Sequence, residues 1–181
     1  MALARTAAIG LFGLSGTVID VETDISAQLP SFQLVGLPDA SLLEATARVR
    51  SACGNSGYPL PSRKITVNLS PAAVPKSGSS FDLAIAVSVL AANEILTGEQ
   101  IAGVVFIGEL GLDGSLRSVP GVLPMVLAAK RAGFNSVVVP VGNLAEAKLV
   151  NQFEVVGLRT LLEVLLHLKG QAIEAEEVTS A

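Results

Sequence analysis

Apolar and polar positions change period several times along this chain, and each change predicts an element. Leu3 to Ile9 is an apolar run that reads as a strand stopped by glycine. Thr17 to Glu22 alternates with a period of two, valine and isoleucine on one side and acids on the other, as a half-buried strand does. Phe32 to Val35 predicts a third strand before Gly36 and Pro38, and Gly10, Gly13 and Gly16 are expected to punctuate the first turn. Asp39 then stands where a helix N-cap belongs. Leu42, Thr46, Val49 and Cys53 follow at spacings of three and four, one apolar helical face, while Glu44, Arg48 and Ser51 fall elsewhere. Gly54 or Gly57 ends that helix.

Ile65 to Leu69 predicts a strand, Ser70 to Ser79 a Pro/Ser/Gly loop, and Asp82 to Ile95 a helix apolar nearly all round, hence central and buried. Val104 to Leu110 predicts a strand, Gly111 to Gly114 a tight turn, and Ser115 to Arg117 its short return. Val122, Met125, Val126 and Ala129 make the apolar face of a further helix, with Lys130 and Arg131 near its end, where cations suit the helix dipole. Ser136 to Pro140 is a β-branched run, hence a buried strand. Leu144 to Val150 predicts a short helix, Phe153 to Val156 a short strand, and Arg159 to Lys169 the last helix. The sum is α+β or mixed α/β in one domain without internal repeat. The polar, acidic stretch from Gly170 to Ala181 is expected to be a linker or disordered tail.

With 181 residues, half of them hydrophobic, there is enough chain for one well-buried core. No apolar run approaches the roughly 18 residues of a membrane helix, and the first ten residues lack a secretory h-region. The single Cys53 excludes an internal disulfide and fits a reducing cytoplasm; one cysteine and one histidine also cannot supply a Cys/His zinc site. The net charge of −4 and the scarcity of aromatics argue against a domain-wide nucleic-acid footprint.

Sequence motifs for nucleotide binding and for several hydrolases are missing. There is no GxxxxGK[ST], HExxH, GxSxG or SxxK, and the glycines of Gly10 to Gly16 do not make GxGxxG. His167 shares a helical stripe with Arg159 and Glu163, a solvated-face arrangement. Cys53 reads as a small core residue. Arg48, Arg50, Arg63 and Lys64 form the densest basic group; it is either a phosphate or acidic-partner contact or an ordinary solvated face. In residues 71–86, Ser79 or Ser80 is expected to cap the buried helix, with Asp82 as the negative charge of its first turn. The same loop also suits a nucleophilic serine at a helix N-terminus, where backbone N–H groups make an oxyanion hole.

The string VPKSGSS before an apolar helix resembles the PKDGPSAG segment around the nucleophile of Lon proteases. Residues 111–140 follow Lon's order of hairpin, GGLKEK-type helix, AAxRxG and strand. VGLPD (35–39), RVR (48–50), NSG (55–57), ITVNLSPA (65–72) and GSSFDLAIA (78–86) resemble more closely the N-terminal domain of the ComM/YifB family, the magnesium-chelatase-like or ChlI-like AAA+ ATPases. The two resemblances cover Leu3 to Lys169. Pro75–Lys76–Ser77 departs from the RKEG-like sequence common in that family.

The resemblance implies an α+β fold of the Lon protease-domain type, a mixed sheet with packed helices, shared with a domain of ribosomal protein S-five. It implies residues 1–169 as the domain and 170–181 as the start of a linker to an AAA+ module of the same polypeptide. It further implies a hexameric DNA branch-migration helicase in natural transformation, with ATP and Mg²⁺ in the ATPase module and no cofactor in this chain. The expected role here is regulatory and assembly-related, cytoplasmic, without membrane contact, and not enzymatic. The alternatives are a Ser–Lys peptidase of Lon type and a stand-alone protein-binding domain. Alignment with Lon puts Ser80 at the nucleophile and Leu123 at the general base; leucine can accept no proton. Pro75, Lys76, Gly78, Ser79, Ser80 and Asp82 form the motif loop, in which Lys76 is expected to be solvated. Phe81 and Asp82 replace Lon's Ala-Gly, adding bulk and a carboxylate expected to disfavour an oxyanion.

Overall fold

The structure, a computed structural model, describes residues 2–173. The chain opens with a long hairpin, β1 (Ala2–Phe12) and β2 (Ser15–Ser26), paired antiparallel from Ala2↔Ile25 to Phe12↔Ser15. Both strands outrun their apolar cores, because the ladder recruits polar flanks regardless of hydropathy. Only Gly13 sits in the turn, at φ 64°, as a two-residue hairpin requires. Gly10 and Gly16, expected there, lie inside the strands. Gly16 permits a close approach: a Cβ on it would stand 2.4 Å from Ala128 Cβ.

β3 (Ser31–Val35) is followed by α1 (Ala40–Leu43) and α2 (Ala45–Asn55). Asp39 caps α1, its Oδ1 accepting from the Leu42 amide at 2.8 Å. The expected helical face is found, with Leu42, Val49 and Cys53 buried, but the helix breaks at Glu44. β4 (Lys64–Ser70) and α3 (Asp82–Ala92) come next. The short α4 (Gly98–Ile101), unforeseen, begins at a Thr97–Gln100 capping box.

The strand expected over 104–110 divides into β5 (Val104–Phe106) and β6 (Glu109–Leu110), the latter forming a separate ribbon with β7 (Leu116–Arg117). The break is used: Gly108 donates to Ser80 O at 3.1 Å and accepts from the Leu83 amide at 3.1 Å, anchoring the start of α3. α5 (Val122–Arg131), β8 (Ser136–Pro140), α6 (Leu144–Ala147), β9 (Glu154–Leu158) and α7 (Leu161–Leu168) complete the order. Thr160 takes the Glu163 amide at 3.1 Å, so α7 starts two residues later than its periodicity suggests and β9 extends to Leu158.

The main sheet runs β3-β4-β2-β1-β5-β8-β9. β2 is antiparallel to both β1 and β4; the other neighbours are parallel. Helices cover both faces. α2, α3 and α7 pack on one side with Ile19, Val21, Ile65 and Val67; α5 and α6 pack on the other with Ile9, Val105 and Val137. The central β1 is therefore buried continuously from Thr6 to Gly10. Helix α3 lies between sheet and α2, which explains why it is apolar all round. Among the described residues no helix is long and apolar enough to cross a membrane. Of the expected acidic tail, residues 174–181 lie outside the described part.

Candidate functional site

The loop from Ser70 to Ser80 brings the motif residues to the N-terminal end of α3. The expected serine cap is not formed there. Phe81 occupies the cap position with no side-chain cap bond, and the Asp82 amide reaches Ser79 O at 3.2 Å. The bonds through Gly108 do the anchoring instead.

Asp82 does not serve as an exposed first-turn charge. It is fully buried and accepts from Arg48 Nε at 2.6 Å, Arg48 Nη2 at 3.0 Å and the Leu110 amide at 3.1 Å. Burial pushes its carboxyl up from the ordinary range, against the opposing pull of Arg48 and the Leu110 amide. The hydrogen bond to Asp82 in turn raises Arg48 above its usual value, against the desolvation cost of its own burial. Arg48 also donates to Ser41 O at 3.1 Å and pairs with Glu44 at 3.5 Å. One guanidinium thus ties α1, α2 and α3 together, while Asp82 reaches β6.

Lys76 corrects a second expectation. It is not solvated: its residue is 2% exposed. Its Nζ donates to Gly36 O at 2.6 Å and to Pro71 O. Its backbone joins the turn after β3, the Lys76 amide donating to Leu37 O at 3.0 Å and the Asp39 amide to Lys76 O at 2.9 Å. Desolvation lowers the Lys76 pKa from the ordinary lysine range. The loop looks polar in sequence because nothing local reveals that these carbonyls converge.

Ser80 borders a cleft of about 230 Å³. Ser77, Gly78 and Ser79 accompany it on one side, and Leu11, Val119, Pro120 and Met125 face it. None of the cleft's walls carries a titratable side chain. Leu123 is half-buried on α5, its amide donating to Glu146 Oε1 at 3.0 Å, and is not one of those walls. The Asp82 charge, expected to oppose an oxyanion at this end of α3, is turned into the Arg48 pair.

The four basic residues do not form one surface. Arg48 is committed to Asp82. Arg50 lies over the Phe32 ring, 5.8 Å from its centroid, on the sheet face packed by α2, α3 and α7. Lys64 stands opposite Ser26 and Ser31 on the other sheet face. Arg63 is exposed at the rim of a separate hollow with Pro61 and Glu94. In the α7 stripe, Glu163 turns its carboxylate to Arg159 at 2.9 Å rather than to His167. Among the described residues no group of His, Cys, Asp and Glu could hold a metal ion.

Residues 21–143 match the family model described as subunit ChlI of Mg-chelatase. The chain belongs to this family. It is 46% identical over its whole length to a protein of Mycobacterium tuberculosis, covering 36% of that protein. It is 44% identical over 84% of its length to YifB of Salmonella typhimurium, and 39% identical over 94% to competence protein ComM of Haemophilus influenzae, covering 30% and 33% of them. The chain therefore spans about a third of the length of these relatives. A weaker likeness, 29% over 75% of the chain, reaches Lon protease of Mycolicibacterium smegmatis, covering 18% of that enzyme. The mixed sheet with packed helices is the Lon-like fold expected from the sequence. What reasoning from sequence missed in this family member is the Lys76 clamp and the Arg48–Asp82 pair. Asp82 carried a usable signal, being the one charged residue in an otherwise apolar helix.

Proposed function

We propose that this chain is a non-catalytic regulatory and assembly domain of a ComM-type AAA+ ATPase. The parent protein, on this proposal, is a cytoplasmic hexameric helicase that drives branch migration of DNA during natural transformation. ATP and Mg²⁺ belong to the ATPase module of the same polypeptide; this chain has no P-loop to cradle them and takes no cofactor. The domain's partners are that module and neighbouring copies in a ring. This domain contributes at most weakly to DNA contact, through separate basic residues rather than a patch.

The observation that carries the proposal is the cleft at Ser80, whose walls supply no proton acceptor. A serine hydroxyl near its free pKa is a poor nucleophile without an adjacent base. The burial of Lys76, four residues before Ser80, favours a peptidase more than a solvated lysine would, since desolvation disfavours the protonated form of the amine. Its ammonium, however, is spent on Gly36 O and Pro71 O. Incubation with unfolded casein tests the proposal. Intact casein is expected after prolonged incubation; degradation that is lost in Ser80→Ala contradicts it.

A further inference from the structure

The end of the β1–β2 hairpin stands between two different hollows. One, of about 430 Å³, lies against α5 and is walled by Leu14, Val18, Pro124, Leu127 and Ala128. The other, of about 540 Å³, joins Phe12 to Leu37 and Pro38 of the turn after β3 and to Pro75 of the motif loop. The side chains around the hairpin end are turned to water: Leu14 is 87% exposed, Leu37 55% and Phe12 44%. A single exposed leucine is ordinary, but three large apolar side chains at one end of a sheet mark a surface that meets another.

Each hollow also carries one exposed charge. Arg131 borders the α5 side and Asp39 the other. Among the described residues neither takes part in an ion pair. Asp39 gives Oδ1 to the Leu42 amide, and among these residues its Oδ2 has no donor. Lys76 borders the second hollow as well, but it is buried with its ammonium turned onto Gly36 O and Pro71 O, so the carboxylate is the charge this side offers. The two sides are alike in being apolar and opposite in charge. Joining two like sides sets Arg131 against Arg131 or Asp39 against Asp39, whereas joining unlike sides pairs them.

We propose that the hairpin end is the contact through which copies of this chain join head to tail, Phe12 and Leu37 of one copy entering the α5-side hollow of the next and Asp39 meeting its Arg131. This rests on the assembly role proposed above and supplies a surface for it. The occupant is a second copy because each side carries the charge that the other side needs. A contact between unlike sides leaves one free side at each end of a pair, so it continues past the dimer and closes into a ring where the rotation permits. A twofold contact stops at two.

Sedimentation equilibrium of the chain over a wide concentration range tests it. Association beyond the dimer is expected, with a Kd below about 1 mM. Leu14→Ser, Arg131→Glu and Asp39→Lys should each weaken it at least about tenfold. Leu29→Ser, equally exposed beyond the far end of β2, should not. An equimolar mixture of the Arg131→Glu and Asp39→Lys chains should associate again, because the reversed side of each meets the reversed side of the other. If Asp39→Lys does not fold, Asp39→Asn, which keeps a capping side chain, should relieve the loss caused by Arg131→Glu in the same chain. No association, association that stops at the dimer, indifference to the charge reversals, or no recovery in the mixture overturns the proposal. The assembly role itself fails only if the full-length parent, with its ATPase module, also stays monomeric.

Discussion

Arg48 and Asp82 form a pair whose two partners come from separate helices and whose carboxylate is wholly out of water. Removing one member leaves the other as an uncompensated buried charge. Arg48→Ala is therefore expected to destabilise by about 3–5 kcal/mol. Glu44→Ala, which touches only the exposed flank of the same guanidinium, should cost less than about 1 kcal/mol. Urea denaturation of the two variants separates them, and similar small effects would contradict the assignment. Cys53 gives a pH-dependent counterpart. Burial pushes its thiol from 9.0 up to about 12, so folding favours the neutral form. Its contribution is complete below pH 9 and is lost as pH rises toward 12, a span of about 4 kcal/mol. Stability measured between pH 9 and 11 should fall more steeply for the unaltered chain than for Cys53→Ala; parallel curves would refute this. The placement of Cys53 was legible from spacing alone. That of Lys76 was not, because its acceptors are a carbonyl of its own loop, Pro71 O, and one from the turn after β3, Gly36 O.

At the scale of elements, periodicity located every helix of eight residues or more, and apolar, alternating or β-branched runs located the strands of the main sheet. What it did not give were the ends. α7 and β9 meet where Thr160 caps a helix, and the 104–110 strand divides where Gly108 is taken up by α3. Both are tertiary or capping decisions invisible to an apolar count. The two closest tests are glycines in contrasting surroundings. At Gly16 a methyl group would overlap Ala128, so Gly16→Ala is expected to cost about 1–3 kcal/mol through overpacking between β2 and α5. At Gly54, inside α2, nothing lies within 4 Å of an added Cβ. Gly54→Ala should therefore gain about 0.5–1 kcal/mol from reduced unfolded-state entropy. Thermal unfolding should shift in opposite directions for the two variants; a shared sign would show that the packing of β2 on α5 is misjudged.

Over the whole molecule, the three layers place the Ser80 cleft where the hairpin, the α3 terminus and α5 converge, and they scatter the basic residues over different faces. The Pro/Ser/Gly pattern placed the motif loop before a buried helix, but it could not show what surrounds that loop. The scattering sets the expectation for DNA. Fluorescence anisotropy with single-stranded and branched DNA at physiological salt should show weak binding, reduced further by joint replacement of Arg50, Arg63 and Lys64 with alanine. Arg48 is left out because it is structural. Tight binding that survives the triple change would contradict this distribution of charge. A serine-reactive phosphonate forms a covalent adduct only where a base activates the hydroxyl. Intact-mass spectrometry after exposure to such a probe is expected to show no adduct on the chain, and none on Leu123→Lys, because Leu123 does not line the cleft. A stoichiometric adduct that maps to Ser80 and disappears in Ser80→Ala would show a working nucleophile and contradict the account.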